Sequence, residues 1–391
     1  MSQAAVSRDL ILRDALALAK SPLPKSPRPI IILGAGGVVR AAHLPAYEKA
    51  GLHVIAIADI EHGKAGSLAS QHNISESFDS VTAAVRYAPP DVVFDIAVPA
   101  SQLLNVLQSL PMGSAVLMQK PMGETLEQAQ SIREICRERG FTAAVNFQLR
   151  YAPSHLGAEL LARKGVLGEL HDIEVQVRTY TPWHLWGFLA RAPRLEILYH
   201  SIHYLDLIRS WLGVPLGIYA KTVRHPTNPQ LAPTKSVMIL DYGDEKRVFI
   251  ATQHGHDIAR SSQSSFVQWE GTEGAIRMGM GVNLDYPSGQ HDTLSYIERG
   301  SGMREWQDLP VAGDWFPDAF IGSMGTLQAY LEGSVSLLPS SVDTAYETMA
   351  MVEAAYRSSE RGGEPLSIVP QATVRSEVPG ARGAAPRSSS G

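Results

Sequence analysis

Cysteine is nearly absent: the 391-residue chain has one, Cys136. An internal disulfide is therefore excluded. Cys136 sits in "SIREICRERG", which reads as a helix, and there it is expected to be a small packing residue. Long apolar runs are missing too. No uninterrupted stretch reaches the roughly 18 residues that would cross a bilayer. The N-terminus lacks the basic-then-apolar pattern of a secretory signal. No membrane partner is expected, and a reducing cytoplasm is the expected compartment. Basic charge is also short, with 34 Lys and Arg against 39 Asp and Glu and a net charge of −5. A nucleic-acid partner would call for a basic face, so none is expected.

What is present is a globular composition, 45% hydrophobic and 19% charged, with chain enough for two domains. Residues 1–27 stand apart. "SRDLILRDALALAK" reads as an amphipathic helix and "SPLPKSPRP" as a proline-rich connector, together an N-terminal arm. From "PIIILGAGG" onward, the apolar runs "IIIL", "HVIAIAD", "VVFDIAVP" and "SAVLMQKP" alternate with amphipathic segments. That alternation predicts a doubly wound parallel sheet over 28–150. After that the pattern changes. "ELHDIEVQVRTYT", "GIYAKTVRH", "KSVMILDYG", "KRVFIATQHG", "SSFVQWEG" and "GAIRMGMG" are strand-like and mostly lack helices between them. They predict a mainly antiparallel open sheet in a second α/β domain over 151–368. The small, polar segment 369–391 reads as a disordered tail.

"IIILGAGGVVRAAH" places Gly34, Gly36 and Gly37 between a strand and a helix, followed by Val38. Glycines there permit a tight turn and let backbone N–H groups approach a pyrophosphate at the helix N-terminus. The next strand ends in Asp59, an acid at the spacing that accepts from the adenosine ribose hydroxyls. The expectation is a dinucleotide site. Asp59 repels a 2′-phosphate and favours NAD, while Arg40 and His62 keep NADP open.

These segments, in their order and spacing, resemble the Gfo/Idh/MocA family (glucose–fructose oxidoreductase, inositol dehydrogenase and rhizopine-catabolism proteins). The resemblance runs from about Ile30 to Ile368 and is carried by "GAGGVVRAAHLPA", "SAVLMQKPMGETLEQA", "AAVNFQLRYAPS", "GVLGEL", "VQWEGTEGAIRM" and "AAYRSSERGGEPL". It implies a Rossmann domain and a second domain whose open sheet mediates homo-oligomers. It also implies hydride transfer between NAD(P) and a hydroxyl or keto carbon of a sugar, polyol or glycoside. Pro99, Gln119 and Lys120 would then lie at the cofactor. Lys120 and His203 match the family's proton-transfer groups, while Gln119 replaces its glutamate and Tyr199 its aspartate.

"EILYHSIHYLD" gathers Glu196, Tyr199, His200 and His203 within about 100° of one helical face, at about 100° per residue. His203 suits a general base, with activity rising with pH near histidine's usual value of about 6.5. Tyr199, four residues earlier, is expected to share its substrate oxygen. Glu196, His200 and His203 have spacing that could seat a metal, but no metal is expected; Glu196 and His200 are taken as substrate contacts. Asn146, Arg150, Tyr180, Trp183 and His184 are the other candidate lining residues, with "TYTPWHLW" offering flat faces to a sugar ring or an aromatic aglycone. His254 and His256 are expected to be structural or substrate-domain polar residues. Two alternatives to net dehydrogenation stay open. One is transient oxidation with the cofactor recycled in place, driving elimination, epimerisation or glycoside cleavage. The other is a non-catalytic nucleotide-binding regulator.

Overall fold

A computed structural model describes residues 3–185, 187–286 and 289–364. The expected tail 369–391 and Trp186 lie outside the described residues.

The first sheet has six strands: β1 (Ile30–Leu33), β2 (Val54–Ala58), β3 (Glu76–Phe78), β4 (Val93–Ile96), β5 (Ala115–Gln119) and β6 (Thr142–Asn146). All neighbours are parallel, in the order β3-β2-β1-β4-β5-β6. This is the doubly wound dinucleotide order, with its switch point between β1 and β4. All four residues of β1 are fully buried, as helices on both faces require.

The second sheet has eight strands: β7 (Leu170–Arg178), β8 (Gly217–Val223), β9 (Lys235–Asp241), β10 (Arg247–Gln253), β11 (Ser264–Gly271), β12 (Gly274–Gly279), β13 (Thr293–Glu298) and β14 (Gln307–Leu309). Their order is β14-β13-β12-β11-β7-β10-β9-β8. Every pairing is antiparallel except β7 with β10. The burial of β9 alternates, with Ser236, Met238 and Leu240 facing inward and Val237 and Ile239 outward. One face of this sheet is therefore packed and the other open.

Two features cross the boundary expected near residue 150. The helix Ala319–Glu332 places Phe320, Met324 and Leu327 in the same buried cluster as Ile30, Ile32 and Tyr47. It is apolar nearly all round, so it needs cover on more than one side, and the first domain supplies it. The N-terminal arm packs on its own chain. Leu12 of the helix Gln3–Leu16 is fully buried, and Arg8 Nη2 donates to Glu298 Oε1 at 2.8 Å. The connector then lies along Ala319–Glu332, with the Ser26 N–H donating to Glu332 at 2.9 Å and the Arg28 N–H to Gln328 at 2.8 Å.

Candidate active site

The glycine loop leaves β1 at Gly34, whose φ of +113° and close approach to the Ala97 carbonyl leave no room for a side chain. A Cβ there would stand 2.4 Å from that oxygen. Gly36 and Gly37 are different: a Cβ on either would meet no protein atom within 4 Å. Both line a cavity of about 420 Å³ together with Ala35, Arg40, Glu61, His62, Gly63, Lys64 and Ser67. This is a cradle that side chains would fill and a pyrophosphate needs open. Asp59, just past β2, accepts from the Ala35 N–H at 2.7 Å and the Glu61 N–H at 2.9 Å. Val38 is partly buried beside the loop. Pro99 is exposed just past the end of β4, across the switch point. The residues present fit a dinucleotide.

Lys120 directly follows β5, at its C-terminal end. Its Nζ donates to the main-chain carbonyl of Tyr199 at 2.6 Å. No carboxylate pairs with it among the described residues. Desolvation lowers its pKa from 10.5 to about 7. Gln119 turns back on the chain, its Oε1 accepting from the Lys120 N–H at 3.0 Å.

His203 is buried, with Trp315 edge-on at 5.3 Å between ring centroids. Its Nδ1 has no hydrogen-bond partner among the described residues. Burial, and then the Lys120 charge, hold it well below the ordinary histidine value. This corrects the expected titration near 6.5: the neutral imidazole is already the resting form at neutral pH, and Lys120 is the group that titrates there.

The helical reading of "EILYHSIHYLD" also needs correction. Ile197–Ser201 forms a π turn, and the α-helix runs only over Ile202–Leu212. The Ser201 hydroxyl donates to Glu196 Oε1 at 2.6 Å, spanning the five residues of the wider turn. The Leu198 N–H donates to the Tyr356 hydroxyl at 3.3 Å. Tyr199 turns its hydroxyl to Glu124, donating at 3.3 Å, and packs its ring on Phe188 at 6.0 Å. Burial raises the phenol pKa further. The hydroxyl expected to share a substrate oxygen with His203 is turned to Glu124, and it is the carbonyl that meets Lys120. Glu124, only four residues beyond Lys120, was missed by the sequence reading.

Glu196 is fully buried and cannot contact substrate as expected. Its Oε1 lies 3.7 Å from His254 Nε2; burial pushes its pKa up, but the neighbouring imidazole and the Ser201 hydroxyl together hold it below the usual value. His254 in turn lies against His200, at 4.4 Å between centroids, and Trp183 packs edge-on to His200 at 5.1 Å. His200 is half-buried. His256 bonds Ser262 at 2.7 Å, away from this group.

Arg150 is not a lining residue. It forms a buried ion pair with Asp206, and its Nη2 donates to the Asp206 carbonyl at 3.1 Å. Asn146 is fully buried and accepts from Ser323 Oγ at 2.6 Å. Both were expected in the cleft; buried partners far along the chain claim them instead. Tyr180 and His184 are exposed on the loop that carries Trp183. Among the described residues no group of three or more His, Cys, Asp or Glu is arranged to hold a metal.

Residues 29–147 match the family model described as "Oxidoreductase family, NAD-binding Rossmann fold", that of Gfo/Idh/MocA. The match covers the nucleotide domain alone, which is thus similar to that of the Gfo/Idh/MocA oxidoreductases. D-glucoside 3-dehydrogenase of Escherichia coli is 27% identical over 203 residues, covering 50% of this chain and 57% of that protein. Galactose 1-dehydrogenase of Pseudomonas fluorescens is 27% identical over 273 residues, 66% of this chain and 86% of that protein. The chain thus spans little more than half the length of the first curated relatives it matches. Among solved structures, an oxidoreductase from Agrobacterium radiobacter in complex with NAD+, L-tartaric acid and magnesium superposes with a TM-score of 0.72. It is 18% identical and covers 86% of this chain and 98% of that one. At that identity the likeness speaks for the fold. The first domain, with its six parallel strands and glycine loop, has the NAD-binding Rossmann fold that the family model describes.

Proposed function

We propose that this oxidoreductase is a dehydrogenase or reductase acting on a CH–OH group of a sugar, polyol or glycoside. The observation that carries the reading is Lys120: a lysine with no acid partner, its pKa brought to about 7, at the junction of the nucleotide domain and the second sheet. NAD, when bound, supplies the nicotinamide that accepts a hydride. Gly36 and Gly37 leave room for its pyrophosphate, and Asp59 accepts from its ribose hydroxyls. Neutral Lys120 takes the alcohol proton as hydride leaves carbon, and its ammonium form stabilises the oxygen on return. His203, neutral and buried, offers a second nitrogen to the same oxygen.

The sugar class is supported by relatives named for D-glucosides, galactose and D-xylose. Tyr180, Trp183 and His184 are proposed to contact the substrate, and Asp59 to favour NAD over NADP. The open face of the second sheet exposes Tyr219, Val237 and Ile239, which suits a homo-oligomer interface. Among the described residues no helix is long and apolar enough to cross a membrane; a cytoplasmic location fits this reading. The test is a screen of methyl β-D-glucoside, D-galactose, D-xylose and scyllo-inositol for NADH formation. At least one is expected to reduce NAD. Tight NAD binding with no NAD reduction by any of them, and no NADH oxidation by the corresponding carbonyl compounds, would instead favour a nucleotide-binding regulator.

A further inference from the structure

The turn between β5 and the helix Leu126–Glu138 carries a carboxylate that hydride transfer does not use. It begins at Lys120 and ends at Glu124 and the capping residue Thr125. Its backbone is fixed. The Gly123 N–H donates to the Pro121 carbonyl at 2.9 Å, and the Glu124 N–H to Gln128 Oε1 at 2.8 Å. A Cβ on Gly123, at φ +89°, would stand 2.8 Å from Gln128 Cβ. Glu124 is therefore set on rigid backbone, and it is half-buried there. Its side chain has few partners. Oε1 accepts from the Tyr199 hydroxyl at 3.3 Å, while Oε2 has no partner and no cation pairs with either oxygen among the described residues. Burial strips water from a carboxylate, and a cation or several donors normally offset that cost. Around Glu124 those donors are missing.

Tyr199 ties this carboxylate to the reacting group. Its carbonyl accepts from Lys120 and its hydroxyl donates to Glu124, so the two side chains lie at opposite ends of one tyrosine. Phe188 stands edge-on to the Tyr199 ring, at 6.0 Å and 67°, and is still 44% exposed. An uncovered aromatic ring beside a carboxylate short of donors has a chemical meaning. A sugar ring offers apolar C–H faces that cover an aromatic ring, and hydroxyls at its rim that donate to a carboxylate. Such charge-assisted hydrogen bonds are roughly twice as strong as neutral ones, and a few of them fix a ligand's orientation.

We propose that Glu124 and Phe188 form a second anchor for the substrate: Glu124 accepts from one or two hydroxyls on the side of the sugar away from Lys120, and Phe188 covers an apolar face of the ring. The substrate class follows from charge. A hydroxyl donates to the Glu124 carboxylate, whereas a carboxylate on the sugar has no proton to donate and is repelled by it. The subsite therefore takes neutral, polyhydroxylated rings and selects against uronic acids. Placing the reacting hydroxyl at Lys120 rests on the dehydrogenase reading above. The anchor itself needs no hydride transfer, so binding alone measures it.

The experiment is calorimetric titration of the NADH-loaded protein with methyl β-D-glucoside, D-galactose, D-xylose and scyllo-inositol, and with methyl β-D-glucuronide and D-galacturonate. At least one neutral compound is expected to bind, and each uronate at least about 10-fold more weakly than the tightest of them. Glu124→Gln keeps the size of the side chain and removes its charge. It should weaken binding of that neutral compound by about 10-fold and narrow the gap to the uronates. Phe188→Ala should weaken it several-fold, and Phe188→Tyr restore it. NADH binding by each variant checks that it folds. A uronate bound as tightly as the neutral compounds, binding of none of the four, or an unchanged affinity in Glu124→Gln would each overturn the proposal. Binding that depends on Glu124, with no NADH formed from NAD by any of the four, would leave the subsite standing and sink the dehydrogenase reading.

Discussion

The Lys120 ammonium donates a 2.6 Å hydrogen bond to the main-chain carbonyl of Tyr199. This contact joins the end of β5 to the π turn Ile197–Ser201, and so the nucleotide domain to the helix that carries His203. A carbonyl fixes the position of Lys120 without stabilising its charge as a carboxylate would. Desolvation therefore prevails and the pKa drops to about 7.

The pH profile follows. Alcohol oxidation should rise with pH through a group near 7, because only neutral Lys120 can accept the proton. His203, held well below its ordinary value, should add no second limb above it. Lys120→Met should lower turnover by about 10²–10⁴-fold and leave NAD binding in place. Stability moves the same way. Between about 7 and 10.5 the unfolded state binds the Lys120 proton and the folded state does not, so this group makes stability rise with pH. Melting curves of Lys120→Met should show a larger gain over wild type at pH 7 than at pH 10. A variant with near-wild-type turnover would make Lys120 a structural residue.

Tyr199→Phe should cost little in rate, because the carbonyl and not the hydroxyl holds Lys120. Losing the hydrogen bond to Glu124 should cost about 0.5–1.5 kcal/mol of stability. Steady-state kinetics and denaturant melts read the two effects separately. A rate loss of a hundredfold would return the hydroxyl to the chemistry.

The cofactor loop allows a cleaner separation. Gly36→Val should fold as well as wild type, since its Cβ meets no protein atom, yet bind NAD more weakly because the side chain enters the cavity. Gly34→Ala should lose both stability and binding, being forced against the Ala97 carbonyl at positive φ. Asp59→Ala should narrow the preference for NAD over NADP, with Arg40 and Lys64 lining the same cavity. Titration of both cofactors against melting temperature checks all three; wild type binding NADP more tightly would remove the Asp59 argument.

The nucleotide domain was legible because its information is local: apolar runs such as "IIIL" are long enough to be buried strands, and a glycine-rich turn follows one of them. The short β3, with Glu76 and Ser77 exposed, carries no such signal. The parallel pairing of β7 with β10 depends on contacts 75 residues apart and leaves no trace in periodicity. The site was harder for the same reason. Residue types marked Lys120, His200 and His203, but the π turn is set by the Glu196–Ser201 bond and by Tyr356, far along the chain. Arg150 looked free for substrate because its partner, Asp206, is 56 residues away. Glu124 was within reach of the sequence, lying in the same segment as Lys120.

Asp206 tests how the helix carrying His203 is held. It is three residues beyond His203, buried, and accepts from Arg150 at 2.8 Å, Arg209 at 3.2 Å and the Thr348 hydroxyl at 3.1 Å. Two guanidinium groups and one carboxylate meet there with little water to screen them, so removing the carboxylate leaves two buried cations. Asp206→Ala should therefore cost about 3–5 kcal/mol. The isosteric Asp206→Asn keeps hydrogen-bond capacity but not the charge, and should fall between that variant and wild type. Arg209 also reaches Glu347 at 2.9 Å, so it keeps one counterion; Arg150 keeps none among the described residues. The double variant Asp206→Leu with Arg150→Met should thus recover much of the stability lost by Asp206→Leu alone, as apolar replacement of a buried pair often does. Denaturant melts of the cycle measure the recovery. If Asp206→Leu is within about 1 kcal/mol of wild type, the pair is hydrated and the helix is held by packing alone.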